Sequence, residues 1–122
     1  VNEAGALTWN ELHTSDVPAA TAFYGEAFGI EIEPLDGADS YWELRVGGRA
    51  VGGVTLLAND PPGTPAHWLS YFAVDDVDAR VAMAVKAGAK LMKPAFDVPG
   101  VGRIAILTEP GGAGVGWITP AD

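Results

Sequence analysis

The chain repeats itself. Asp16-Val17-Pro18-Ala19 is answered by Asp76-Val77-Asp78-Ala79 at an offset of 60, and the helix-closing glycines Gly29 and Gly88 stand 59 apart. In 122 residues that spacing leaves room for two supersecondary units and little else. One such unit leaves a sheet face uncovered, so two must share a core. The length is that of one domain, enough to bury about two-thirds of the surface exposed by the unfolded chain.

Each unit reads the same way. Ala6–His13 alternates as a strand, with Trp9, Glu11 and His13 on one face and Thr8, Asn10 and Leu12 on the other. Thr14-Ser15-Asp16 offers N-caps, and Pro18 suits a first helical turn, where its missing N–H costs nothing. Ala20, Phe23, Tyr24, Ala27 and Phe28 recur at helical spacing up to Gly29. Strands are expected at Ile30–Glu33, Tyr41–Val46 and Ala50–Leu57, with Gly37 and Gly47-Gly48 turning between them. After the Pro-rich connector 59–66 the pattern restarts. It predicts a strand at His67–Val74, a cap at Asp75-Asp76 and a helix at Val77–Ala87 with Val77, Val81, Ala84 and Val85 on one face. Strands follow at Lys90–Met92, Arg103–Leu107 and Gly114–Thr119. The expected fold is α+β, a single domain of two βαβββ modules (about 5–58 and 66–120).

Charge and composition exclude several functions. The 16 acids outweigh 7 bases for a net −9, which repels phosphate backbones and anionic membranes, so neither nucleic acid nor membrane is an expected partner. The imbalance lies in residues 1–61, where ten acids face only Arg45 and Arg49. No apolar run reaches the ~18 residues of a membrane span, and no basic-then-apolar leader is seen. Cysteine is absent, which removes disulfides, thiolate nucleophiles and Cys-ligated metals and fits a reducing cytoplasm. The chain opens at Val1; an excised initiator Met and a fragment of a longer chain both fit.

Few motifs carry chemistry. Gly100-Val101-Gly102-Arg103-Ile104-Ala105 matches a dinucleotide fingerprint in letters, but a strand and not a helix follows it. Gly111-Gly112-Ala113-Gly114 lacks a phosphate-loop Lys, and no nucleophile elbow is present. His13 and His67 are the only imidazoles. If the Trp9 face of the first strand points inward, Glu11 and His13 are buried together, as an acid–base pair or part of a metal site. If the opposite face is inward, Glu11 meets solvent. A buried Glu requires a partner.

Thr14–Gly29, above all Ala22-Phe23-Tyr24-Gly25-Glu26-Ala27-Phe28-Gly29, together with Tyr71–Ala79 and Gly102–Ala113, resembles the vicinal oxygen chelate superfamily of glyoxalases, bleomycin-resistance proteins and extradiol dioxygenases. Trp9-Asn10-Glu11-Leu12, Val51-Gly52-Gly53 and His67-Trp68-Leu69 are similar to its actinobacterial tandem, glyoxalase-like branch. The resemblance implies a curved eight-stranded mixed sheet around a cavity, and usually a homodimer. It also implies four inward metal ligands. Carried over by motif spacing, these fall on Trp9, within Gly53–Leu56, on Leu69 and on Gly116. Trp, Leu and Gly supply no lone pair for a divalent ion, and Gly53–Leu56 holds no His or carboxylate, so no metal ligand and no cofactor is assigned.

Three functions are therefore expected to compete. The first is a small-molecule-binding domain that sequesters a cationic or aromatic compound such as an antibiotic. Its ligand-binding residues are Trp9, Glu11, His13, Leu69, Tyr71 and Gly116, with Gly116 opening room. The second is a glyoxalase-like lyase, hydroxylase or dioxygenase-type enzyme. There Glu11 and His13 serve as the catalytic acid–base pair, or join His67 in a rearranged divalent-metal site. The third is an interaction module, one half of a tandem chain.

Overall fold

The structure, a computed structural model, describes residues 3–38 and 40–121. Its element order is β1 (Leu7–Thr14), α1 (Val17–Phe28), β2 (Glu31–Pro34), β3 (Tyr41–Val46) and β4 (Arg49–Leu56). After a 3-10 turn at Leu57–Asn59 come β5 (His67–Ala73), α2 (Val77–Lys86), β6 (Lys90–Val98), β7 (Gly102–Thr108) and β8 (Gly114–Pro120). The order β-α-β-β-β occurs twice, in an α+β fold of eight strands. By contacts the chain forms two compact units, Asn10–Trp68 and Val1–Trp9 with Leu69–Asp122.

In the unit Asn10–Trp68 the strands lie in the order β2-β3-β4-β1. β1 runs parallel to β4, and the other pairs are antiparallel. The core is Leu12, Val17, Ile32, Leu44 and Val54, with Ala20, Tyr24, Ile30, Trp42 and Leu56 packed around it. Asp16 caps α1 by accepting the Ala19 N–H at 2.9 Å, and Gly29 ends it in the left-handed region at φ 71°. The expected helical stripe is only half right. Phe23 and Phe28 are 60% and 71% exposed. Phe23 sits about 240° around the helix from Val17 at ~100° per residue, and Phe28 is the last helical residue. Tyr24 is the aromatic that packs inward, edge-on to Trp68 and stacked on Phe28.

In the other unit the order is β5-β8-β7-β6, again with one parallel pair, β5 and β8. Gly5 and Ala6 bond Ala73 through their backbones. Alternation along β5 buries Leu69, Tyr71 and Ala73 and turns Trp68, Ser70 and Phe72 outward. Asp76 caps α2 through the Ala79 N–H at 3.2 Å. On the expected α2 face Val77 and Ala84 are buried, but Val85 is exposed. β6 runs six residues beyond the expected Met92, through Pro94 to Val98. As the outermost strand of its unit it needs no donor on its open edge, and its register slips on either side of Lys93 absorb the proline. Among the described residues no helix is long and apolar enough to cross a membrane.

The two aspartates of the repeat thus serve the same end. Asp16→Ala and Asp76→Ala should each lower unfolding free energy by about 1 kcal/mol, read as a shift in urea midpoint with unchanged slope. A loss confined to one variant would show that the caps are not equivalent.

Candidate functional site

Three strands bring the polar groups of the unit Asn10–Trp68 to one face. Alternation on β1 puts Glu11 and His13 together. Parallel pairing sets Gly53 of β4 beside Glu11 and Thr55 beside His13, while β3 sets Tyr41 beside Thr55. Leu12 goes to the opposite, apolar face and its core. Glu11 and His13 are each only 2% exposed, so the reading in which Glu11 meets solvent is corrected: β1 is buried on both faces here.

These side chains form one hydrogen-bonded chain. The Tyr41 hydroxyl donates to Glu11 Oε2 at 2.7 Å, Glu11 Oε1 meets His13 Nε2 at 2.7 Å, and His13 Nδ1 meets Asp60 Oδ2 at 2.7 Å. Asp60 arrives on the turn after β4, which is tied down by Asn59 donating to Thr55 Oγ1 at 3.2 Å. The His67 ring stacks on His13 with centroids 4.6 Å apart. Its Nδ1 donates to the Pro65 carbonyl at 2.8 Å, which leaves Nε2 as the lone-pair nitrogen of the neutral ring. Among the described residues no buried side-chain nitrogen or oxygen is without a partner.

His13 carries the charge that makes this arrangement possible. A neutral imidazole donates from one nitrogen only, so one of its two carboxylate contacts would set acceptor against acceptor. Burial pulls the His13 pKa down, but the hydrogen bonds and negative charges of Glu11 and Asp60 outweigh burial and hold it above the ordinary 6.5. A charged His13 donates from both ring nitrogens, Nε2 to Glu11 and Nδ1 to Asp60.

The remaining expected site residues belong to the other unit. Trp9 is half-buried, while Leu69 and Tyr71 are buried. Gly116 does not open room: β8 pairs it with Tyr71, and a Cβ there would collide with the Tyr71 ring. Gly53 is used alike, since a Cβ there would collide with the Tyr41 hydroxyl and ring. The residues that sequence reasoning missed are Tyr41 and Asp60. No local signal marks either one: Tyr41 reaches Glu11 through the space beside Gly53, and Asp60 reaches His13 from the connector.

The positions onto which motif spacing carries the family's four metal ligands are poor in donors. Trp9, Leu69 and Gly116 offer no donor, and in the remaining stretch the space beside Gly53 is taken by Tyr41. The residues present do not fit that centre.

Three outcomes follow from the buried chain. Stability contributed by charged His13 should be full below pH 6.5 and lost as pH rises through its raised value, with Glu11, Asp60, Tyr41 and His67 the titratable groups facing it. Urea unfolding from pH 6 upward should show that decline in the wild type and a flatter profile in His13→Gln. Glu11→Gln, which replaces a charge-assisted hydrogen bond by a neutral one while His13 keeps Asp60, should cost about 1–3 kcal/mol. Gly53→Ala should cost about 1–3 kcal/mol through overpacking, and a neutral result would mean that Tyr41 is not held where it stands.

Comparison with known proteins adds the family. The Glyoxalase/Bleomycin resistance protein/Dioxygenase superfamily pattern matches residues 6–116. CFP32 of Mycobacterium tuberculosis, a candidate glyoxylase by name, is 42% identical over 99% of this chain and 46% of its own length. The anthracycline biosynthesis protein DnrV of Streptomyces peucetius is 34% identical over 89% of this chain and 45% of its own. The chain therefore spans about half the length of the relatives it matches. Among solved structures, methylmalonyl-CoA epimerase of Streptomyces coelicolor, in complex with 2-nitronate-propionyl-CoA, superposes with TM-score 0.64 at 17% identity, over 98% of this chain and 100% of the other. The epimerase of Mycobacterium tuberculosis gives TM-score 0.63 at 18% identity, over 100% of this chain and 93% of the other. At such identities the likeness is one of fold. Matched along nearly its whole length, with the β-α-β-β-β order present twice, the chain belongs to the Glyoxalase/Bleomycin resistance protein/Dioxygenase superfamily.

Proposed function

We propose that this chain is a small-molecule-binding domain of the superfamily that works without the family's four-ligand metal centre and takes a cationic, aromatic compound. The observation that carries this reading is the replacement of the metal positions by Trp9, Leu69 and Gly116, together with the filling of the space beside Gly53 by Tyr41. Of these, the half-buried Trp9 offers apolar and aromatic contact to a ligand. The net charge of −9 favours a cation through long-range attraction, and the Trp9 ring offers a cation–π face. One relative is named for anthracycline biosynthesis, and an anthracycline, planar, aromatic and bearing an amine, is a ligand of this class. Binding of such a compound without turnover amounts to sequestration.

A titration with an anthracycline followed by tryptophan fluorescence tests the reading. Saturable binding is expected, weakened by salt because the attraction between exposed charges is screened within about 8 Å at physiological ionic strength, and weakened again in Trp9→Ala. Absence of saturation with this and other cationic aromatics would overturn it.

The hydrogen-bonded chain of Tyr41, Glu11, His13 and Asp60 favours a second reading, in which Glu11 is a general base and His13 the acid that serves it. The substrate would carry an ionisable C–H bond or an epoxide. Turnover that persists unchanged in Glu11→Gln would exclude this reading.

A further inference from the structure

The cluster at the end of β1 has the composition of a metal site displaced from the family's positions. We infer that His13, Asp60 and His67 bind a divalent first-row transition ion. Each offers one ligand atom, and the three atoms lie within 4.8 Å of one another. Ligands about 2.1 Å from a tetrahedral ion stand about 3.4 Å apart, so small side-chain movements complete the set. Two imidazoles with one carboxylate select the zinc, iron and cobalt class over calcium or magnesium, which prefer oxygen alone.

What surrounds the three residues supports the assignment independently. A metal-binding histidine usually donates its other ring N–H to a carboxylate or a backbone carbonyl, which fixes the ring and its lone pair. Both histidines here have such a partner. His67 donates from Nδ1 to the Pro65 carbonyl at 2.8 Å, leaving Nε2 for an ion. His13 meets Glu11 through Nε2 at 2.7 Å, and Glu11 is held in turn by the Tyr41 hydroxyl at 2.7 Å. That leaves His13 Nδ1 on the side of Asp60, 2.7 Å from its Oδ2. An ion bound there requires an unprotonated His13 Nδ1, so binding releases any proton on it to solvent.

Access and charge fit as well. His13 is buried, but the Asp60 side chain is 11% exposed and His67 is half-buried, so the cluster is reached from the connector side. The connector 59–66 supplies Asp60 and, through Pro65, the orientation of His67, and it has three prolines to hold it still. Three protein ligands leave a coordination position for water or for an oxygen of a small molecule. The inference goes beyond the ligand-binding reading and does not rest on it.

The test uses the full chain stripped with a chelator and then titrated with Co²⁺, whose visible absorption reports coordination, and with Zn²⁺ in competition with a chromogenic chelator. One ion per chain is expected, with Zn²⁺ displacing Co²⁺. Asp60→Asn and His67→Gln, whose far-ultraviolet spectra check that each variant is folded, should each weaken Zn²⁺ at least tenfold. Asp75→Asn, which alters an exposed carboxylate paired with Arg80, should change nothing. Failure of the wild type to bind either ion, or binding undiminished in both cluster variants, would overturn the site. Anthracycline titration repeated in excess chelator reads the ligand-binding proposal separately.

Discussion

A carboxylate and an imidazole buried side by side on one strand oblige their surroundings to supply partners, and much of the unit Asn10–Trp68 is organised by that demand. An unpaired buried charge costs several kcal/mol. Glu11 therefore needs both Tyr41 and His13, and His13 needs a second acceptor, which comes from Asp60 in the connector. Each partner fixes a piece of backbone: β3 through Tyr41, β4 through the glycine that lets Tyr41 approach, and the turn after β4 through Asp60 and Asn59. A network of this kind rigidifies when every member is satisfied, and here every member is.

The two units meet a similar packing problem with different residues. Glu11 of β1 and Tyr71 of β5 stand 60 residues apart, at matching positions of the repeat, and each has a glycine opposite it on the parallel strand, Gly53 or Gly116. In one unit the glycine accommodates a tyrosine from β3 that bonds the carboxylate. In the other it accommodates the tyrosine of β5 itself. The polar cluster is thus a specialisation of one repeat.

That asymmetry bears on function. The places onto which motif spacing carries the superfamily's metal ligands hold Trp9, Leu69 and Gly116 together with a stretch that has no His or carboxylate. The potential donors gather elsewhere, in His13, Asp60 and His67 on a single unit. The proposed organic-cation ligand draws on the acidic charge and Trp9, and the proposed ion on these imidazoles and this carboxylate. Both readings follow from where donors stand, and neither follows from the fold, which hosts many chemistries.

The repeat, the order of elements and the two capping aspartates were all legible in the chain, because helix periodicity, strand alternation and cap chemistry act over a few residues. The pairing of Glu11 with His13 was legible for the same reason: residues two apart on a strand share a face. Which face was inward was not, since that depends on Leu12 finding its core and Tyr41 arriving from a strand thirty residues on. Nor did helical spacing reveal that Tyr24, and not Phe23 or Phe28, would pack inward. Asp60 and the room beside Gly53 and Gly116 were decided by tertiary structure alone, because hydrogen bonds and close packing join atoms that chain separation says nothing about. Local physics wrote the elements, and the tertiary fold brought Tyr41 to the Glu11 carboxylate and Asp60 to the His13 ring, because groups buried this deeply must be hydrogen-bonded.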